Sequence, residues 1–150
     1  MKNIKILLLV LIALFLTSCD PIHRIDFINN LDSNTNIKIV LNSNIENSYL
    51  DELRKGDSII LDLKSNGNKE NKAEIPFARG FLSDYRINEI SKSIKSIEIE
   101  NKEAKIIYKS PNEIKDLLFE NQKGVFFKTS ITIKIDDDLL ISNTSVLQKH

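Results

Sequence analysis

After residue 20 the apolar positions of the chain come in short alternating stretches, which is the pattern of half-buried strands. Arg24 to Ile28 sets Ile25 and Phe27 between polar neighbours, and Ile37 to Leu41 sets Ile37, Ile39 and Leu41 on one face. The Asn/Asp/Ser-rich stretch Asn29 to Asn36 lies between them, and such side chains bond their own backbone in turns. The three segments predict a first β-hairpin with a long tip. Tyr49 to Lys55 reads two ways. Ser48 and Asp51 resemble a helix start with Gly56 as its stop, whereas Lys55-Gly56 reads as a tight turn into Asp57 to Leu63, and the turn is preferred. Ser58 to Leu63 is apolar and β-branched enough for an interior strand.

The second half of the chain mixes the two periods. Lys64 to Lys72 is a polar loop, and Ile75-Pro76-Phe77 is extended because a residue before proline is pushed out of the helical region. Ile87, Ile90 and Ile94 have helical spacing and predict a short helix over Ser83 to Ser91. Ile94 to Glu100 becomes a strand in its later half, and Asn101-Lys102-Glu103 turns it into Ala104 to Lys109. Ser110-Pro111-Asn112-Glu113 is the clearest helix start: serine caps, proline suits the first turn and Glu113 completes a capping box. Ile114, Leu117 and Leu118 give that helix of about two turns its apolar face, and Gln122-Lys123-Gly124 ends it. Val125 to Ile135 is the longest strand signal, with Ile131, Ile133 and Ile135 facing one way. Asp136-Asp137-Asp138 closes it, Leu139 to Ile141 reads as an edge strand, and residues 142–150 form a flexible tail. About seven short strands with a turn every ten residues or so predict a mainly β fold, a small antiparallel sandwich-like domain with one or two short helices.

The first 20 residues follow another rule. Lys2 and Lys5 precede an unbroken apolar run, Ile6 to Leu16, and Asp20, His23 and Arg24 end the apolar region soon after. A run of about 11 residues suits the core of a secretory leader and falls short of the ~20 that span a bilayer. Leu16-Thr17-Ser18-Cys19 then places two small residues before a cysteine. This stretch resembles the lipobox of bacterial lipoproteins, in which the leader is cut before the cysteine and the thiol carries a diacylglyceryl group. The resemblance implies a signal peptide over 1–18, lipidated Cys19, and two or three acyl chains. One chain binds a bilayer marginally, whereas two or more hold stably. It therefore implies an exported chain attached to the cell membrane or the outer membrane. Aspartate after the lipid cysteine, here Asp20, favours inner-membrane retention in enteric bacteria. Residues 19–23 are read as a tether of at most ~15 Å, followed by a single β-rich domain over 24–141. The mature region also looks like small β-sandwich lipoproteins of Bacteroidota with no assigned activity, through Ile25 to Asn30 and through the strand, helix, strand order of Ile94 to Ile135.

Composition narrows the function classes. A chain with 41% hydrophobic and 28% charged residues can form a packed domain. The leader holds two of the 21 bases and no acid, leaving 19 bases against 21 acids, a net charge of −2. An evenly mixed, weakly acidic surface does not suit nucleic acid. Cys19 is the only cysteine, so a disulfide within the chain is impossible. Two histidines, His23 beside the anchor and His150 at the end, read as solvated and are too few for a zinc site. Asp136, Asp137 and Asp138 read as a solvated strand end that discourages edge pairing. No glycine-rich phosphate loop or nucleophile motif is present, and no catalytic residue, metal or cofactor is assigned. One connecting segment stands out, because arginine and aromatics are enriched where proteins meet partners. It runs from Ile75 to Arg86 and offers Phe77, Arg79, Phe81, Tyr85 and Arg86 as a partner-binding loop, or else as a loop pinned to the core by Phe77 and Phe81. The reading is a membrane-attached, non-enzymatic binding or accessory module that docks on another envelope protein. The alternatives are an envelope hydrolase acting on glycans or peptides and a small inhibitor or immunity-type lipoprotein.

Overall fold

The computed structural model describes residues 21–45, 47–80, 83–123 and 130–141. Among the described residues there are eight strands: β1 (Ile22–Asn29), β2 (Thr35–Leu41), β3 (Ser58–Leu63), β4 (Lys72–Arg79), β5 (Ile94–Glu100), β6 (Lys105–Tyr108), β7 (Gln122–Lys123) and β8 (Ser130–Ile135). Three helices connect them: α1 (Ser48–Leu53), α2 (Asp84–Ser93) and α3 (Pro111–Glu120). The strands form two four-stranded sheets, β4-β1-β8-β7 and β3-β2-β5-β6. The fold is mainly β and sandwich-like, and each sheet contributes one apolar face to a shared core. Among the described residues that core holds 26 buried apolar side chains, 15 of them isoleucine. β-branched isoleucine is stiff at χ1 and packs well on a pleated surface, so this composition favours strands.

Alternation sets the inward faces as predicted. Ile25 and Phe27 of β1, Ile37, Ile39 and Leu41 of β2, and Ile131, Ile133 and Ile135 of β8 are all buried. Ile87 and Ile90 of α2 and Ile114, Leu117 and Leu118 of α3 are buried as well. α2 and α3 pack on each other, and α3 touches both β5 and β8, so it bridges the sheets. Its start has the full capping box: the Ser110 hydroxyl accepts from Glu113 N–H, and the Glu113 carboxylate accepts from Ser110 N–H.

The pairing of strands departs from the sequence reading in several places. β1 and β2 are consecutive but not a hairpin, because β1 lies in one sheet and β2 in the other. The link at residues 30–34 crosses between sheets, and buried Leu31 fills the corner. β1 pairs in parallel with β8, so the domain is not wholly antiparallel. Tyr49 to Lys55 contains both alternatives. α1 forms first, capped by Asn47 and not by Ser48, and a tight turn at Lys55–Ser58 follows with Gly56 at φ 69°. β3 lies at an edge and not in the interior, with Ile60 57% exposed. Residues 137–141 are a helical turn and not an edge strand. A turn keeps adjacent Leu139 and Leu140 on one side against the core, whereas a strand would split them across its faces. Asp136 is the start of that turn, its carboxylate accepting from Leu139 N–H at 3.1 Å. It is therefore a cap and not simply a solvated strand end. The leader, Cys19, residues 125–129 of the longest predicted strand, and the tail 142–150 lie outside the described residues.

Candidate functional site

Two regions gather polar or aromatic side chains. The first is the end of the domain where the described chain begins. Ile22 pairs with Arg79, and Gly80 N–H donates to Pro21 C=O at 3.2 Å. Between His23 and Arg24 the register to β4 shifts, so β4 carries one extra residue, Phe77. Pro76 sits beside that irregularity on an edge strand, where a missing N–H is tolerated. The shift turns both Phe77 and Ala78 inward.

His23 is correspondingly part of the core rim. It is 1% exposed, its Nε2 bonds the Gly80 carbonyl, and its ring lies 6.2 Å from that of Phe77. The expectation of a solvated tether residue is thus corrected: alternation in β1 starts two residues before Arg24 and carries His23 inside. A histidine with a polar tip and an apolar body can occupy such a position once its nitrogen has a backbone partner.

The predicted recognition segment is not one loop. Phe77 is in the core and its carbonyl accepts from Asn47 Nδ2 at 2.8 Å, tying α1 to β4. Arg79 is exposed at the end of β4. Tyr85 and Arg86 lie in the first turn of α2, where Tyr85 is 66% exposed and Arg86 meets Glu89 at 3.1 Å. Phe81 lies outside the described residues. The structure thus separates an inward aromatic from an outward group, Arg79, Tyr85 and Arg86.

The second region is an open groove of about 560 Å³ lined by Glu120, Asn121, Gln122, Thr132, Lys134, Asp136, Asp138 and Leu139. It lies beside the part of β8 that follows Ile131, where the chain before β7 is the end of α3. Among the described residues Gln122 and Lys123 pair with β8 on this side, opposite Ile131 and Ser130, and one further bond joins Thr132 N–H to Asn121 C=O at 2.8 Å. Beyond that point β8 continues without a β7 partner, and the end of α3 and the turn at 136–139 wall the space. Thr132 and Lys134 face it because they alternate with the inward isoleucines.

The groove is rich in hydrogen-bonding groups. Three carboxylates, one ammonium, two carboxamides and a hydroxyl line it, with Leu139 as the apolar member. Two of these groups are already engaged: Asp136 caps its turn, and Asn121 Nδ2 donates to Leu117 C=O at 2.8 Å. Gln122 Nε2 is shielded from solvent and lacks a partner among the described residues. Such a donor costs stability unless an acceptor meets it. On the same outer face Asp26 stands in register with Thr132 and Glu74. Lys72 bridges Glu74 at 2.7 Å and approaches Asp26 at 3.7 Å, and Arg24 meets Glu74 at 2.6 Å. The bonds from Lys72 and Arg24 hold the Glu74 carboxyl below its usual range, and the Glu74 bond raises the Lys72 ammonium.

Of the groove residues, only Asp136 and Asp138 stand out in the sequence. Thr132 and Lys134 read as ordinary outward positions, because alternation marks a polar face without saying which face is hollow, and Gln122 reads as part of a helix end. Among the described residues no three His, Cys, Asp or Glu side chains are placed to hold a metal ion. No described helix is long and apolar enough to cross a membrane. Comparison with family models, with curated proteins and with solved structures finds no match.

Proposed function

We propose that this chain is an exported bacterial lipoprotein whose β-rich domain is held at an envelope membrane by acyl groups on Cys19 and serves as a non-enzymatic binding or accessory module. The observation that carries the reading is the order Lys2, Lys5, apolar run, Leu16-Thr17-Ser18-Cys19. Positive charge, a run too short to span, and small residues before a cysteine meet the needs of export, cleavage and thiol acylation in turn. The start of β1 at Ile22 is compatible with it, since the fold begins three residues after the acylated position.

Mass spectrometry of the N-terminal tryptic peptide from detergent-extracted protein tests the anchor. A peptide starting at Cys19 with diacylglyceryl mass is expected, and an unmodified Cys19 or an intact Met1 rejects the reading. The binding role rests on the groove, whose mixed charges and carboxamides suit a polar partner surface. Pull-down from detergent extracts is expected to recover a stoichiometric envelope protein. Gln122→Ala with Lys134→Glu should release it, and undiminished capture by that double variant overturns the groove as the contact.

A further inference from the structure

The chain has four arginines, Arg24, Arg54, Arg79 and Arg86, among 21 basic residues. Its lysines are spread along the whole chain, but the arginines are not. Arg24 is the third residue of β1, Arg79 the last of β4, Arg54 the C-cap of α1 and Arg86 in the first turn of α2. These elements meet around the C-terminal half of β4. β1 pairs with β4, α1 packs on β4, and α2 follows it after a short connection. Three of the six exposed large apolar side chains of the described residues lie on the same elements: Ile22, Leu53 and Tyr85.

This is also where the chain enters the fold. Pro21 C=O accepts from Gly80 N–H, and Cys19 is two residues earlier. Covalent geometry alone keeps the Cys19 Cα within about 7.6 Å of that of Pro21. An anchored domain therefore cannot turn this end far from the bilayer.

Resting on the lipoprotein reading, we infer that the arginine-bearing end of the domain docks on phospholipid headgroups, with Arg79, Arg86 and Arg54 on phosphates and Tyr85, Leu53 and Ile22 at the interface. Guanidinium pairs with phosphate through two parallel bonds, which an ammonium cannot do. Tyrosine suits a boundary with one apolar and one wet side. The present partners do not compete strongly. Arg54–Asp51 at 2.7 Å and Arg86–Glu89 at 3.1 Å are exposed i,i+3 pairs on their own helices, and such pairs contribute little. Docking gives the anchored domain a fixed orientation, with the β5–β6 turn pointing away. Asn101 Nδ2 of that turn bonds Ser33 Oγ, just past the far end of β1. The eight residues of β1 make that end roughly 23 Å distant.

The chain contains no tryptophan, so single tryptophans report cleanly. Full-length acylated Tyr85→Trp and Lys102→Trp proteins are reconstituted in phosphatidylglycerol/phosphatidylcholine vesicles with brominated acyl chains. Tyr85→Trp emission is expected to shift to the blue and be quenched, with Lys102→Trp unchanged. Adding Arg79→Gln and Arg86→Gln to Tyr85→Trp should relieve the quenching, at an unchanged urea midpoint because both sites are exposed. Unquenched Tyr85→Trp in protein that still floats with the vesicles overturns the docking and leaves the anchor standing. Quenching that survives loss of the two arginines also overturns it. Protein that does not float, with a free Cys19 thiol, removes the anchor and the docking together. A blue shift that needs another protein and comes without bromine quenching replaces the membrane by a protein partner.

Discussion

Asn29 has no exposed surface, yet each of its polar atoms has a hydrogen-bond partner. Its Nδ2 donates to the carbonyls of Ser33 and Lys64, both at 2.8 Å, and its Oδ1 accepts from Leu31 N–H at 3.1 Å. Asn71 brackets its backbone, accepting from Asn29 N–H and donating through Nδ2 to Asn29 C=O. One side chain thus fastens loops 30–34 and 64–71 to the end of β1. Asn29→Ala should cost about 2–4 kcal/mol, since it strands two carbonyls and an N–H away from water. Asn29→Asp keeps the shape but loses both donors, so it should not rescue the loss; urea denaturation measures both. Gly56 offers a contrasting case. A Cβ there would meet nothing within 4 Å, so only its φ of 69° opposes substitution. Gly56→Ala is expected to cost about 1–2 kcal/mol by backbone strain alone. Both features were half legible. The Asn29–Leu31 bond is the local turn its residue type favours, and Lys55-Gly56 reads as a turn, but nothing local announces the Ser33 and Lys64 carbonyls. Those partners exist only once distant segments meet.

Elements were legible where chemistry is local. The capping box of α3 is written in four consecutive residues, and the inward faces of β1, β2 and β8 follow from alternation alone. Ser110→Ala should lower stability by about 1 kcal/mol, read as a shift in denaturation midpoint. The box also has a pH signature. Bonds from Ser110 and Lys109 N–H hold the Glu113 carboxyl below its ordinary 4.5. A carboxyl depressed in the folded state stabilises above its unfolded value and loses that contribution as pH falls through the folded one. The wild-type stability advantage over Glu113→Ala is therefore expected to hold at pH 6 and fade below about 4.5; an advantage independent of pH would mean that ionisation contributes nothing. β7 was not legible, since two residues with no apolar pattern form a strand only because β8 lies beside them. The edge strand read at Leu139 to Ile141 went wrong for a related reason. Three apolar residues in a row fit either period, and the Asp136 cap with the Leu140 packing decides in favour of a turn.

Across the whole molecule, fold class was legible and pairing was not. Strand number and spacing imply two small sheets, but no local signal says that β1 leaves its neighbour β2 for β4 and β8. The buried apolar residues described run from Ile25 to Leu140, so on the proposed lipoprotein reading attachment and folding should be separate properties. Cys19→Ser is expected to release the protein into the soluble fraction with its melting temperature unchanged. A fall of several degrees would show that the N-terminal residues stabilise the domain. The recognition segment marks the same limit. Arginine and aromatic content singled out one stretch, and only the tertiary arrangement divides it into a core phenylalanine, a strand end and a helix face.

The parallel contact between β1 and β8 has a consequence for biogenesis. β1 cannot acquire β8 as its second neighbour until the ribosome has made, and on the proposed route the export channel has passed, about a hundred further residues. A nascent chain halted before Ser130 would hold an open-sided, sticky sheet, recognisable to quality-control proteases. On the proposed export route the same delay would keep the polypeptide threadable through a narrow pore for nearly its whole length, so late closure and passage in an unfolded state suit one another.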